Sequence, residues 1–127
     1  MSLILSRRDL EFLLYEWLDV TALTALPRYA EHSRETFDAC LDLAAQIAER
    51  DFAPHNARSD AEEPRFDGTR VHLIPEVGAA LAAFHASGLL SAAMDEEVGG
   101  VHLPHVVHRA CFAWFQAANI ATAAYPC

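Results

Sequence analysis

The stretch Met94-Asp95-Glu96-Glu97-Val98-Gly99-Gly100-Val101-His102-Leu103-Pro104 constrains this chain more than any other. Two adjacent glycines behind Glu96 and Glu97 impose a chain reversal, because only glycine enters positive φ without a steric cost. Pro104 then stands where a helix starts, and an apolar segment follows it through Ala118-Asn119-Ile120-Ala121 to Tyr125-Pro126. From Ala110 onward no charged residue appears. A helix that is apolar on every side is buried all round or covered by a partner. The spacing therefore predicts a last helix from about Pro104 to Ala124, entering a core built by everything before it.

That core is helical by periodicity. Ser6 precedes Leu10, Leu13, Leu14, Trp17 and Leu18, a helical stripe that predicts a helix from about Arg7 to Asp19. Thr21 is placed to cap a short second helix that Pro27 ends. Ser33 caps the longest one, with Phe37, Cys40, Leu41, Ala44, Ile47, Ala48 and Phe52 on its apolar face. Pro54 is expected to kink or end it. Arg58 to Ile74 reads as one long irregular loop, with Asp67-Gly68 as a turn and Val71 to Ile74 extended. Pro75 opens the next helix, with Val77, Ala80, Leu81 and Phe84 inward and Gly88 as its stop. The expectation is an all-α bundle of five or six helices, with residues 1–33 as an N-terminal extension of one or two helices packed on a unit spanning 34–127.

Composition narrows the function classes. The 127 residues are 53% hydrophobic, enough to bury a single core and too apolar for disorder. No apolar run approaches the roughly 20 residues that span a bilayer, and the N-terminus has no signal-peptide pattern, so a cytoplasmic location with no membrane partner is expected. A net charge of −9 argues against nucleic acid, which needs clustered cations. All nine cations are arginines, which excludes a Schiff-base or P-loop lysine from this chain. Cys40 and Cys111 fall in apolar helical patterns and read as buried thiols, and with Cys127 they form no CxxC pair.

Little else in the chain carries chemistry. Glu62-Glu63 and Glu96-Glu97 are adjacent pairs that point apart, whereas a general acid and base must face one substrate. They read as solvated loop charge. His102, His105 and His108 recur every three residues but bring no obvious fourth ligand, so they read as surface histidines rather than a metal site. No phosphate-binding or nucleophile-elbow motif appears. No catalytic residue is expected in this chain.

Several segments, in their order and spacing, resemble the N-terminal helical domain of acyl-CoA dehydrogenases. They are Ala48-Glu49-Arg50-Asp51-Phe52-Ala53-Pro54 with Asp60 behind it, the Pro75 helix closing at Ala86-Ser87-Gly88-Leu89, and the Asp95-to-Gly100 turn feeding the last helix. The first 33 residues, with Leu14-Tyr15-Glu16 and Tyr29-Ala30, followed by Phe37-Asp38, resemble the extra N-terminal segment of the larger branch, which includes enzymes for methylthiopropanoyl-CoA and long-chain acyl-CoA. Ala118-Asn119 and Tyr125-Pro126 match that branch too. Two positions depart from it: His102 stands where the family usually carries a third glycine, which predicts a local change in the turn backbone, and Ala113 stands near a usual carboxylate.

The resemblance implies a fragment of a flavoprotein of fatty acid metabolism that oxidises the Cα–Cβ bond of acyl-CoA. FAD and the catalytic base belong to later domains, so this chain alone is expected to bind no cofactor. It implies walls for the acyl pocket, with Asn119, Thr122 and Tyr125 as candidates. It also implies contacts with the missing flavin-binding and C-terminal domains or with a homo-oligomer partner, with Trp114 and Phe115 of paired last helices near the contact. The alternative is a stand-alone, non-catalytic helical module for interaction or oligomerisation.

Overall fold

A computed structural model describes residues 3–126 and shows an all-α domain whose helices change winding rather than running as uniform cylinders. The described α-helices are α1 (Arg7–Glu11), α2 (Arg34–Ile47), α3 (Asn56–Ala61), α4 (Pro75–Ala86), α5 (His105–Ala118) and α6 (Ile120–Ala123). The strands β1 (Arg65–Phe66) and β2 (Val71–His72) form an antiparallel hairpin in which Arg65 pairs with His72 and Phe66 with Val71. Met1, Ser2 and Cys127 lie outside the described residues.

α5 is the centre of the molecule. Its inner face of Val107, Cys111, Trp114, Phe115 and Ala118 is buried against α2, which offers Phe37, Leu41, Ala44 and Ile47. An aromatic cluster closes the other side. Phe115 lies 4.9 Å from Phe52 and 5.1 Å from Phe84, and Phe112 lies 5.5 Å from Phe84, in tilted and edge-on geometries that aromatic quadrupoles favour.

This packing corrects the expected contact at Trp114 and Phe115. They are 2% and 0% exposed inside their own chain. The outer face of α5 and α6 carries Arg109, Gln116, Ala117, Ala121 and Ala124 together with exposed Ile120.

The N-terminal segment departs furthest from its simple stripe. Ser6 caps α1 as expected, accepting from the Asp9 amide, but the helix then passes into a π-turn, Phe12–Trp17. Only Leu14 of the stripe is buried, while Leu13, Trp17 and Leu18 are exposed. Polar contacts hold this segment to α2 instead. Arg7 reaches Asp42 at 2.7 Å, and the Tyr15 hydroxyl donates to Asp38 at 2.6 Å with the Arg34 guanidinium over its ring. Thr21 is not a cap: Asp19, in left-handed backbone, precedes a 3-10 turn, Val20–Ala25. A second 3-10 turn, Pro27–Tyr29, leads to α2, whose Ser33 and Thr36 form a reciprocal capping box.

Pro54 changes the winding of the chain without ending it. Its ring would clash with the carbonyl four residues back in an α-helix. The chain relaxes into a π-turn, Ala48–Phe52, then a 3-10 turn, Ala53–His55, and resumes as α3. The irregular loop is therefore shorter than predicted, since Arg58 to Ala61 are helical and residues 65 to 72 form the hairpin. Asp67 organises the hairpin turn by accepting from the Thr69 and Arg70 amides at 2.8 and 2.9 Å, and its carboxyl is held below the usual range chiefly by the Arg70 amide.

Candidate functional site

The change of winding at Pro54 leaves a carbonyl without its helical donor. In an α-helix the Asn56 amide would reach Phe52, but here it donates to Ala53 in the tighter 3-10 pattern. Asn119 supplies the Phe52 carbonyl with a side-chain donor instead. Its Nδ2 donates to the Phe52 carbonyl at 3.2 Å, and its Oδ1 accepts from the Thr122 amide at 3.1 Å, capping α6. To do both, Asn119 adopts extended backbone, so the single last helix expected from Pro104 to Ala124 is two helices with a break between them. Only a side chain with both a donor and an acceptor fits this position.

Beside it, His55 and Thr122 form a second buried polar pair, Nε2 to Oγ1 at 2.9 Å, with both residues at most 3% exposed. Ser59 approaches Asn119 Nδ2 at 3.5 Å. The structure thus brings two of the three pocket candidates, Asn119 and Thr122, into one polar node that joins the Pro54 corner to the C-terminal helices. Tyr125, 55% exposed, stands outside it. His55 and Ser59 escaped the sequence reading. The signal was present, since Phe52, His55 and Ser59 continue the buried stripe of α2 past the proline at helical spacing.

Recesses adjoin this node on more than one side. A cleft of about 350 Å³ opens beside His55 and is edged by Arg50, Asp51, Arg58 and Glu76. Its cations are already neutralised: Arg50 binds Asp51 at 2.8 Å, and Arg58 binds Glu62 at 3.1 Å and also Glu76. The hydrogen bond to Glu62 is the main cause that raises the Arg58 pKa above its ordinary value. On the other side, a cavity of about 50 Å³ is lined by Leu73, Ile74, Val77, Thr122 and Tyr125. It is apolar apart from the Thr122 and Tyr125 hydroxyls and the rim at Ser59 and Glu62.

The acidic turn is fully built. Gly99 has a φ of +88°, and a Cβ on Gly100 would stand 2.0 Å from the Met94 carbonyl oxygen. Ala92 accepts from both Val101 and Leu103, which folds the turn back onto the end of the preceding segment. His102 takes a left-handed φ of +53°, one of two such non-glycine residues described. The N-terminal segment reaches this turn through Arg28, 2.7 Å from Asp95, and His32, 2.7 Å from the Val101 carbonyl. Arg28 is the main cause that holds the Asp95 carboxyl below its usual range.

The three histidines at the start of α5 do not share one environment. His105 is exposed and His102 half-buried, as surface residues would be. His108 is 7% exposed, correcting its surface assignment, with Nε2 2.7 Å from the Leu89 carbonyl and Nδ1 buried without a partner. Glu62, Glu63, Glu96 and Glu97 are all exposed. Cys111 is buried and free, its thiol pushed up to about 12 chiefly by burial, and Cys40 is half-buried. No helix among the described residues is long and apolar enough to cross a membrane. No known protein family and no curated protein matches this chain.

Proposed function

We propose that the chain is the N-terminal helical domain of an acyl-CoA dehydrogenase-like flavoprotein, supplying apolar wall and domain contacts to an enzyme that oxidises the Cα–Cβ bond of an acyl-CoA. The observation that carries this reading is the conformation of His102. The resemblance expects glycine there, and the residue holds φ +53°, a region that glycine enters freely and other residues enter at a steric cost. A left-handed backbone at this position suits the glycine that the resemblance expects. The small cavity at Thr122 and Tyr125 offers apolar shape of the kind a substrate wall needs. FAD, the hydride acceptor, and the carboxylate base belong on this reading to domains that follow this one.

The test is to express the whole open reading frame that contains these residues. A yellow protein that reduces an electron acceptor when given acyl-CoA is the expected result. A frame that holds no flavin-binding domain, or a product inert toward a series of acyl-CoA chain lengths, overturns the proposal. A second reading, a stand-alone interaction module, is favoured by the closed core, in which Trp114 and Phe115 are covered without any further domain.

A further inference from the structure

We propose that the hairpin of this chain docks in the groove between α3 and α6 of a second copy, and that each copy's groove receives the other's hairpin. The proposal does not rest on the acyl-CoA reading. It starts from the β1–β2 ladder, in which Phe66 and Val71 stand directly opposite one another. Opposite residues of an antiparallel pair project to the same side of the sheet. Phe66 is 66% and Val71 57% exposed, so one side of the hairpin is a largely uncovered apolar face. Arg65 and Arg70 adjoin these two residues in sequence and are exposed as well. Every arginine outside the hairpin except Arg109 binds a carboxylate of its own chain. Arg65 and Arg70 form no ion pair among the described residues.

The groove offers the complement. It encloses about 480 Å³, with Pro64, Ile120 and Ala121 in its apolar lining and Asp60 and Glu63 among its polar residues. Ile120 is 62% exposed there. Neither carboxylate forms an ion pair among the described residues, since Arg58 of the same helix is taken by Glu62 and Glu76. Free arginines beside Phe66 and Val71 thus match free carboxylates beside Ile120, the pairing of opposite charge that selects a partner and fixes its register. The hairpin does not fill the groove of its own chain, because none of residues 65–72 lines it. It begins directly after Pro64 on the groove's edge, so hairpin and groove lie side by side on each copy. A two-fold axis then makes both contacts at once. Hairpin packed on hairpin would instead bring the arginines of both copies together. The reciprocal contacts bury roughly 1,000 Å² in total, the low end of specific interfaces, which fits a reversible dimer.

Sedimentation equilibrium on the whole chain, from about 1 to 500 µM, reads the association directly. The expected result is a reversible monomer–dimer equilibrium. Arg65→Glu combined with Arg70→Glu weakens the dimer at least about tenfold, as does Asp60→Arg combined with Glu63→Arg. Both double variants keep the wild-type circular dichroism, because the replaced side chains have no ion pairs to lose. An equimolar mixture of the two restores dimerisation, since each then offers the charge that the other's altered site requires. Phe66→Ser weakens the dimer without changing any charge, and Trp17→Glu, on a different exposed segment, leaves it as it was. A monomer across the whole range overturns the proposal, as does a dimer that survives either double variant or is lost in Trp17→Glu. Double variants that stay monomeric when mixed overturn the exchange of hairpin into groove.

Discussion

Gly100 and His102 sit two positions apart in one turn and respond in opposite ways to the backbone around them. At Gly100 any Cβ meets the Met94 carbonyl, a backbone atom that cannot swing aside. Gly100→Ala is expected to destabilise the fold by more than about 3 kcal/mol, measured by urea unfolding. At His102 the left-handed backbone is already occupied by a residue that resists it. His102→Gly relieves that strain and should stabilise by about 0.5–1 kcal/mol, the gain reduced by the freer unfolded chain. His108 adds a dependence on pH. Burial first, with Arg109 and His105 adding to it, holds its pKa below the ordinary value against the opposing bond to Leu89. The unfolded chain therefore takes up this proton before the folded one does. The contribution of His108 is intact above the unfolded pKa of about 6.5 and is lost as pH falls toward the folded one. Unfolding free energy measured from pH 7.5 to 5 should fall more steeply in the wild type than in His108→Gln.

Among the elements, the break between α5 and α6 has the most specific chemistry. Asn119→Ala removes the α6 cap and the side-chain bond to the Phe52 carbonyl, and is expected to cost about 1–3 kcal/mol. Asn119→Asp keeps the cap acceptor but brings a buried anion against that carbonyl, so it should destabilise no less than alanine does. Equal stability of Asn119→Asp and wild type in thermal unfolding would show that the bond to Phe52 is dispensable. The helices α2, α4 and α5 were readable because their apolar residues repeat at helical period and each has a cap or proline at its start. The polar node was readable only in part. Asn119 and Thr122 stood out through the resemblance, but nothing local to them announces a bond to Phe52, sixty-seven residues away. The N-terminal stripe misled for a different reason. Periodicity reports which residues share a face, and the π-turn redistributes that face after the pattern has been laid down.

At the scale of the molecule, the core is closed and the reactive groups are few. The chain on its own is expected to be colourless after purification and to leave an electron acceptor oxidised in the presence of acyl-CoA. Retention of FAD through gel filtration, or dye reduction by the isolated chain, would contradict that. The net charge of −9 is spread over exposed carboxylates, many of them paired with arginines across elements, as Arg28 with Asp95 and Arg58 with Glu76. Such exposed pairs orient segments more than they stabilise them, since each is worth at most about 1 kcal/mol.

The π-turn at Ala48–Phe52 carries a consequence for length. A π-turn holds one more residue than an α-helical turn of the same hydrogen-bonded ladder. Deleting one residue from within it tightens this turn ahead of Pro54, keeps α2 in register with α5 and shifts what lies downstream. The same deletion inside α2 would rotate Phe37, Leu41 and Ala44 out of register with α5. Tolerance of the chain to single-residue loss should therefore be concentrated at this turn, a seam where the length of the protein is free to drift by one.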